Sequence, residues 1–142
     1  MENSFLKDKL NVFLLENHPD LMMEFGDQLD QYISDRVETA LQVYKSQTQA
    51  GIHQDVVLEN TYIALKEGLI FSKFNILESI LEEYYYQIYE ERLKDKSLVS
   101  YIISLIEPCE SIFSKYNTSD NYTYSDLLIT ELIGNLEEII NH

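Results

Sequence analysis

Leu98-Val99-Ser100-Tyr101-Ile102-Ile103-Ser104-Leu105-Ile106 is the stretch on which the fold class turns. Its β-branched and aromatic content suits a strand. The apolar spacing, however, continues well past Ile106: Leu98, Ile102, Leu105 and Cys109 lead on to Ile112, Phe113 and Tyr116. Steps of three and four over that length are helical, and too long for a strand. The sequence therefore predicts one long helix, kinked before Pro108, whose ring removes a backbone donor.

The same period extends outward in both directions. Upstream, Asn75-Ile76-Leu77-Glu78 reads as a capping-box-like start for a helix running to about Arg92, with Leu77, Ile80, Leu81, Tyr84 and Ile88 on one face. Its other face carries Glu82, Glu83, Glu90 and Glu91. Leu58, Tyr62, Leu65 and Leu69 mark a shorter helix from Asp55, its expected N-cap, to about Leu69. Leu29, Ile33, Val37, Ala40, Leu41 and Tyr44 mark a longer one that Gly51 stops. Leu6, Leu10, Phe13 and Leu14 mark the first, from Ser4 to Glu16, and Asn17-His18-Pro19-Asp20 ends it, because Pro19 biases His18 away from helical backbone. Downstream, Lys94-Asp95-Lys96-Ser97 is a polar break and Asn117 to Tyr124 a loop. Leu128, Leu132, Leu136, Ile139 and Ile140 then form a last helix. The expected fold is all-α: one domain, residues 1–142, a multihelical bundle of about six helices.

Composition agrees with this reading and removes several function classes. A chain of 142 residues with 45% hydrophobic and 25% charged residues can bury a core. Only four Gly and two Pro are present, too few for a fold of many short strands. The 25 acidic residues against 10 basic ones give a net charge of −15. They are spread along the chain, and the surplus repels phosphate, so direct nucleic-acid binding is not expected. No apolar run approaches the roughly 18 residues of a membrane span, and Met1-Glu2-Asn3-Ser4-Phe5 lacks the features of a secretion signal. With Cys109 as the single cysteine, no internal disulfide forms, and a cytoplasmic location is expected. The sequons Asn117-Thr118-Ser119 and Asn121-Tyr122-Thr123 then mark only a polar loop.

Catalytic and metal signatures are missing. His18, His53 and His142 sit in turns or at the terminus, with no His or Cys pair at helical spacing. Cys109 lies on an apolar stripe without a nearby His or Lys to activate it. Ser4-Phe5-Leu6-Lys7 has the bare Ser-x-x-Lys spacing but none of its companion motifs. No phosphate-binding glycine loop or calcium loop occurs. The acids Glu82, Glu83 and Glu90, interleaved with Tyr85, Tyr86 and Tyr89, are the most distinctive surface. They read either as plain solvated helix surface or as a contact, in which tyrosine buries area at low entropic cost and the charge selects a basic protein partner; a divalent-ion site would normally add a Glu-x-x-His that is absent.

Several segments together resemble a known family: Glu16-Asn17-His18-Pro19-Asp20-Leu21, Gly68-Leu69-Ile70-Phe71-Ser72-Lys73-Phe74-Asn75, Pro108-Cys109-Glu110-Ser111-Ile112-Phe113-Ser114-Lys115-Tyr116, and Thr130-Glu131-Leu132-Ile133-Gly134. These look like the family called domain of unknown function 1896, small proteins of Bacteroidetes. Members often carry a second proline where this chain has Ser111, and a tryptophan in the fourth helix where this chain has none. The resemblance implies a multihelical fold, no assigned activity and no catalytic residues. It also implies an association with mobile genetic elements. The polar turn residues in its motifs, Asn17, His18, Ser72 and Lys73, are the positions a binding site would use.

The expectation is thus a non-enzymatic protein-interaction or accessory module that needs no cofactor. Two alternatives stand beside it: a small-ligand binder or enzyme built on His18, Ser72 and Lys73, and an acidic DNA mimic that occupies a basic protein.

Overall fold

The computed structural model describes residues 1–116, 118–120 and 125–141. Asn117, residues 121–124 and His142, and with them the asparagine of each sequon, lie outside the described residues. Among the described residues there are eight α-helices: α1 Asn3–Asn17, α2 Pro19–Phe25, α3 Leu29–Gln49, α4 Gln54–Leu65, α5 Lys73–Tyr84, α6 Tyr86–Lys94, α7 Leu98–Phe113 and α8 Asp126–Ile140. A 3₁₀ turn, Gly26–Gln28, joins α2 to α3, and no strand occurs among the described residues. The fold is all-α. The count exceeds six because Pro19 opens a short helix of its own and because the helix expected over 75–92 breaks at Tyr85. The chain divides into two compact units, Met1–Ile70 and Phe71–His142.

In the first unit, α1 contributes Leu6, Leu10 and Leu14, each fully buried, against Ile33, Val37 and Ala40 of α3 and Leu65 of α4. The column buried on α4 is Val57, Thr61 and Leu65, with Leu58 and Tyr62 only half-buried, so the face is rotated relative to the expected Leu58–Tyr62 stripe. A hydroxyl is tolerated in that column because Thr61 Oγ1 donates to the Val57 carbonyl at 2.7 Å. The N-cap of α4 is His53, whose Nδ1 accepts from the Asp55 amide at 3.2 Å, in place of the expected Asp55.

The end of α4 is fixed by two long-range donors. Arg36 of α3 donates from Nη1 to the Leu65 carbonyl at 3.1 Å, and its Nε donates to Tyr32 Oη at 2.8 Å. A cation on a helix C-terminus satisfies an orphan carbonyl and complements the dipole. Beyond it, Gly68 at φ +79° turns the chain, and Leu69 is buried. His18, 6% exposed, meets the Leu69 carbonyl through Nε2 at 2.6 Å. Because a carbonyl only accepts, Nε2 carries the proton. The backbone of His18 (φ −140°, ψ 52°) ends α1 and precedes α2, the break imposed by Pro19.

In the second unit, α7 buries Leu98, Ile102, Leu105, Cys109 and Phe113. This is the stripe expected from the sequence, helical on both sides of Pro108. Asn135 of α8 donates from Nδ2 to the Pro108 carbonyl at 3.0 Å. Around α7 pack Phe74, Leu77, Ile80 and Leu81 of α5 and Leu128, Leu132 and Leu136 of α8. Phe71 meets Phe113 edge to face at 6.1 Å between centroids. The start of α5 is capped by Ser72, whose Oγ accepts from the Asn75 amide at 3.0 Å, so the cap lies three residues before the expected Asn75. Ser125 does the same for Leu128 at 3.3 Å on α8. No helix among the described residues is long and apolar enough to cross a membrane.

Two stability outcomes follow from this packing. Leu132→Ala removes a fully buried side chain between α8 and α7, and should cost about 2–5 kcal/mol in a urea titration. His18→Leu keeps the volume but strands the Leu69 carbonyl, and should cost about 1–3 kcal/mol, with hydrogen exchange quickening at the end of α4.

Candidate functional site

The second unit carries the tyrosine- and glutamate-rich face. Tyr85, at φ −134° and ψ 46°, is outside helical backbone and separates α5 from α6. Its hydroxyl donates to a Glu137 carboxylate oxygen of α8 at 2.8 Å. Burial first, and that bond to a carboxylate second, push the phenol up to about 12. Past the break, α6 contains no buried residue. Tyr84 is 53% exposed and Tyr86 58% exposed, and Glu82, Glu83 and Glu91 face solvent. Tyr86 and Tyr89 stack at 6.3 Å between centroids. Glu90 pairs with Lys94 at 3.0 Å, a helical i,i+4 contact on an exposed surface. The Tyr89 phenol is raised by burial, then by Glu82 and Glu78. Tyr85, Tyr86, Tyr89, Glu82, Glu83 and Glu90 thus sit on consecutive elements of one unit, five of them clear of the bond that ties Tyr85 to α8.

The four turn residues fall in different units, and each has structural partners. In the first, Asn17 Nδ2 donates to the Phe13 carbonyl at 2.9 Å, and His18 holds Leu69. In the second, Ser72 caps α5, and Lys73 Nζ pairs with Glu110 at 2.6 Å while lying 5.6 Å from the Phe113 ring centroid.

Cys109 is fully buried, with Asn135 Nδ2 at 3.5 Å from its sulfur. Desolvation raises its thiol, the opposite of an activated nucleophile. Among the described residues no group of three or more His, Cys, Asp or Glu could hold a metal ion.

A second surface, in the first unit, escaped sequence reasoning. A groove of about 620 Å³ runs between α1 and α4, with Phe5, Lys9, Phe13, Tyr62 and Lys66 among its lining residues. The Lys9 ammonium lies 5.4 Å from the Phe5 centroid and 5.2 Å from that of Tyr62, and the Lys66 ammonium lies 5.1 Å from that of Phe13. The sequence signal was there: Phe5, Lys9 and Phe13 recur every fourth residue on α1, as do Tyr62 and Lys66 on α4, which brings each set to one helix face. It was hidden because aromatic residues at that spacing ordinarily read as core.

Among curated proteins nothing matches this chain. Among solved structures, the crystal structure of protein PG0816 from Porphyromonas gingivalis is similar, at 25% identity over 99% of this chain and 91% of that one, with a TM-score of 0.78. The sequence profile described as domain of unknown function (DUF1896) matches residues 1–142, and the chain belongs to that family.

Proposed function

We propose that this protein is a non-enzymatic interaction module whose α5–α6 face receives a basic protein partner. The observation that carries the reading is α6 itself, a helix with no buried residue that leaves Tyr86 58% exposed beside exposed glutamates. A helix that lends the core only the partly buried Tyr89, yet leaves Tyr86 exposed, suits a contact surface. The charge supports a cationic partner. Glu78 is raised above the ordinary carboxylate range, first by burial and then by its neighbour Glu82. A docked Lys or Arg would relieve that repulsion.

The alternative that uses His18, Ser72 and Lys73 for ligand binding or catalysis draws less support, because the polar atoms of these side chains hold a carbonyl, a helix cap and an ion pair. A DNA mimic draws less too, since tyrosines interrupt the acids of α5–α6 and Lys94 pairs with Glu90. A cytoplasmic location and a part in mobile-element biology, the latter implied by the family resemblance, belong to the same proposal.

A photo-crosslinking amino acid placed at Tyr86 in native-host cells should capture a basic protein that the same probe at Leu127, 69% exposed on α8, does not. Glu82→Gln with Glu83→Gln should abolish the capture. Equal capture from both probe positions, or capture indifferent to the two charges, would sink the reading.

Glu78 supplies a pH test. Its folded-state value lies above the unfolded one, so the folded chain binds the proton more tightly, and stability falls as pH rises through the window just above the ordinary carboxylate value. Glu78→Gln should therefore raise stability at neutral pH, with the gain shrinking below that window. Urea titrations at pH 7 and pH 4 check the sign.

A further inference from the structure

The groove between α1 and α4 brings two lysines of this acidic chain to one apolar surface. Of the lysines outside it, three pair with carboxylates, Lys73 with Glu110, Lys94 with Glu90 and Lys115 with Glu131, while Lys7, Lys45 and Lys96 make no ion pair among the described residues. Lys9 and Lys66 make none either, although Asp8 and Glu16 line the same groove. Both ammonium groups lie instead against aromatic rings, one between Phe5 and Tyr62 and the other by Phe13.

A ring face compensates an ammonium only in part, and it costs the lysine some hydration without supplying an anion. Two cations are therefore held in place over an apolar bed, each short of a counter-charge. Leu10 and Leu65 lie beneath, and Phe5 and Val12, 46% and 51% exposed, keep the groove open to solvent. Its volume, about 620 Å³, suits a small organic molecule.

We infer that this groove binds an amphipathic anion, an apolar body against Phe5, Val12, Phe13 and Tyr62 with a carboxylate or similar single anionic head at the Lys9 and Lys66 ammonium groups. The body can be a straight alkyl chain or a fused aromatic ring, since both have the same charge and apolar character. The site lies in the first unit and does not rest on the α5–α6 reading.

The test is a titration of the full chain, followed by backbone amide NMR, with octanoate, 1-octanol and octylammonium at equal chain length. Naphthalene-2-carboxylate and 2-naphthol repeat the comparison for an aromatic body. At least one of the two anions should bind about tenfold more tightly than its neutral counterpart, as two partly exposed charge contacts would give. Shifts should concentrate at residues 5–16 and 62–66. Octylammonium should bind more weakly than octanol.

In Lys9→Gln with Lys66→Gln the preference for the anion should fall to about twofold or less, while the neutral ligand binds as before. Lys9→Arg with Lys66→Arg should restore it. Equal affinity for anion and neutral body in both pairs, shifts centred away from α1 and α4, or a preference that survives the double Gln variant would each overturn the proposal. The wild-type comparison stands even if a variant fails to fold.

Discussion

Each helix that builds a core does so with a narrow column of side chains. Leu6, Leu10 and Leu14 on α1, Ile33, Val37 and Ala40 on α3, and Leu128, Leu132 and Leu136 on α8 are spaced by threes and fours, and nothing else on those helices is fully covered. Burial of one such column is the dominant favourable term for its helix. It fixes which face points inward, yet does little to fix the residue at which the helix ends, because the polar groups of the last turn lie beyond the column. The ends are set by polar groups, and the rest of the architecture depends on that division of labour.

The closing turn of the first unit shows how it works. The last carbonyls of a helix lack internal partners, and a buried one left unpaired costs about as much as a lost hydrogen bond. Arg36 comes from α3 and His18 from the α1–α2 junction, and the two supply donors to Leu65 and Leu69. Neither donor is local in sequence to its acceptor, so these bonds join three helices to one turn. Gly68 makes this possible: at φ +79° a side chain would be strained, although a β-carbon there would meet Arg36 only at an ordinary 3.8 Å. The constraint at Gly68 is therefore conformational, not one of space.

This division also explains what was legible in the sequence. Columns are periodic, so α7 could be read through Pro108 from Leu98 to Phe113, and the buried sets of α1, α3 and α8 follow directly from spacing. The polar break at 94–97 was legible too, but the break at Tyr85 was not. Tyr84-Tyr85-Tyr86 contains no helix breaker, yet Tyr85 leaves helical backbone where its hydroxyl reaches Glu137, 52 residues away. Tertiary contacts of this kind override propensity, and a local window does not contain them. Caps fall between these cases: Ser72 and Asn75 are both good capping residues, and only the bond from the Asn75 amide to Ser72 Oγ decides between them.

Function was less legible than fold for the same reason. The tyrosines and glutamates of 82–90 could be noticed as a composition, but their exposure depends on the break at Tyr85, which starts a new helix with no fully buried residue. The groove between α1 and α4 depends on the rotation of α4 that buries Val57 and Thr61 in place of Leu58 and Tyr62. Had the expected face been buried, Tyr62 would be core and Lys9 would lose one of its two rings. With the face rotated, Tyr62 is half-buried at the groove wall, where the Lys9 ammonium lies against its ring. A shift of one residue in which face a helix buries, too small to alter the fold class, thus separates a continuous core from a groove lined by aromatic rings and two lysines.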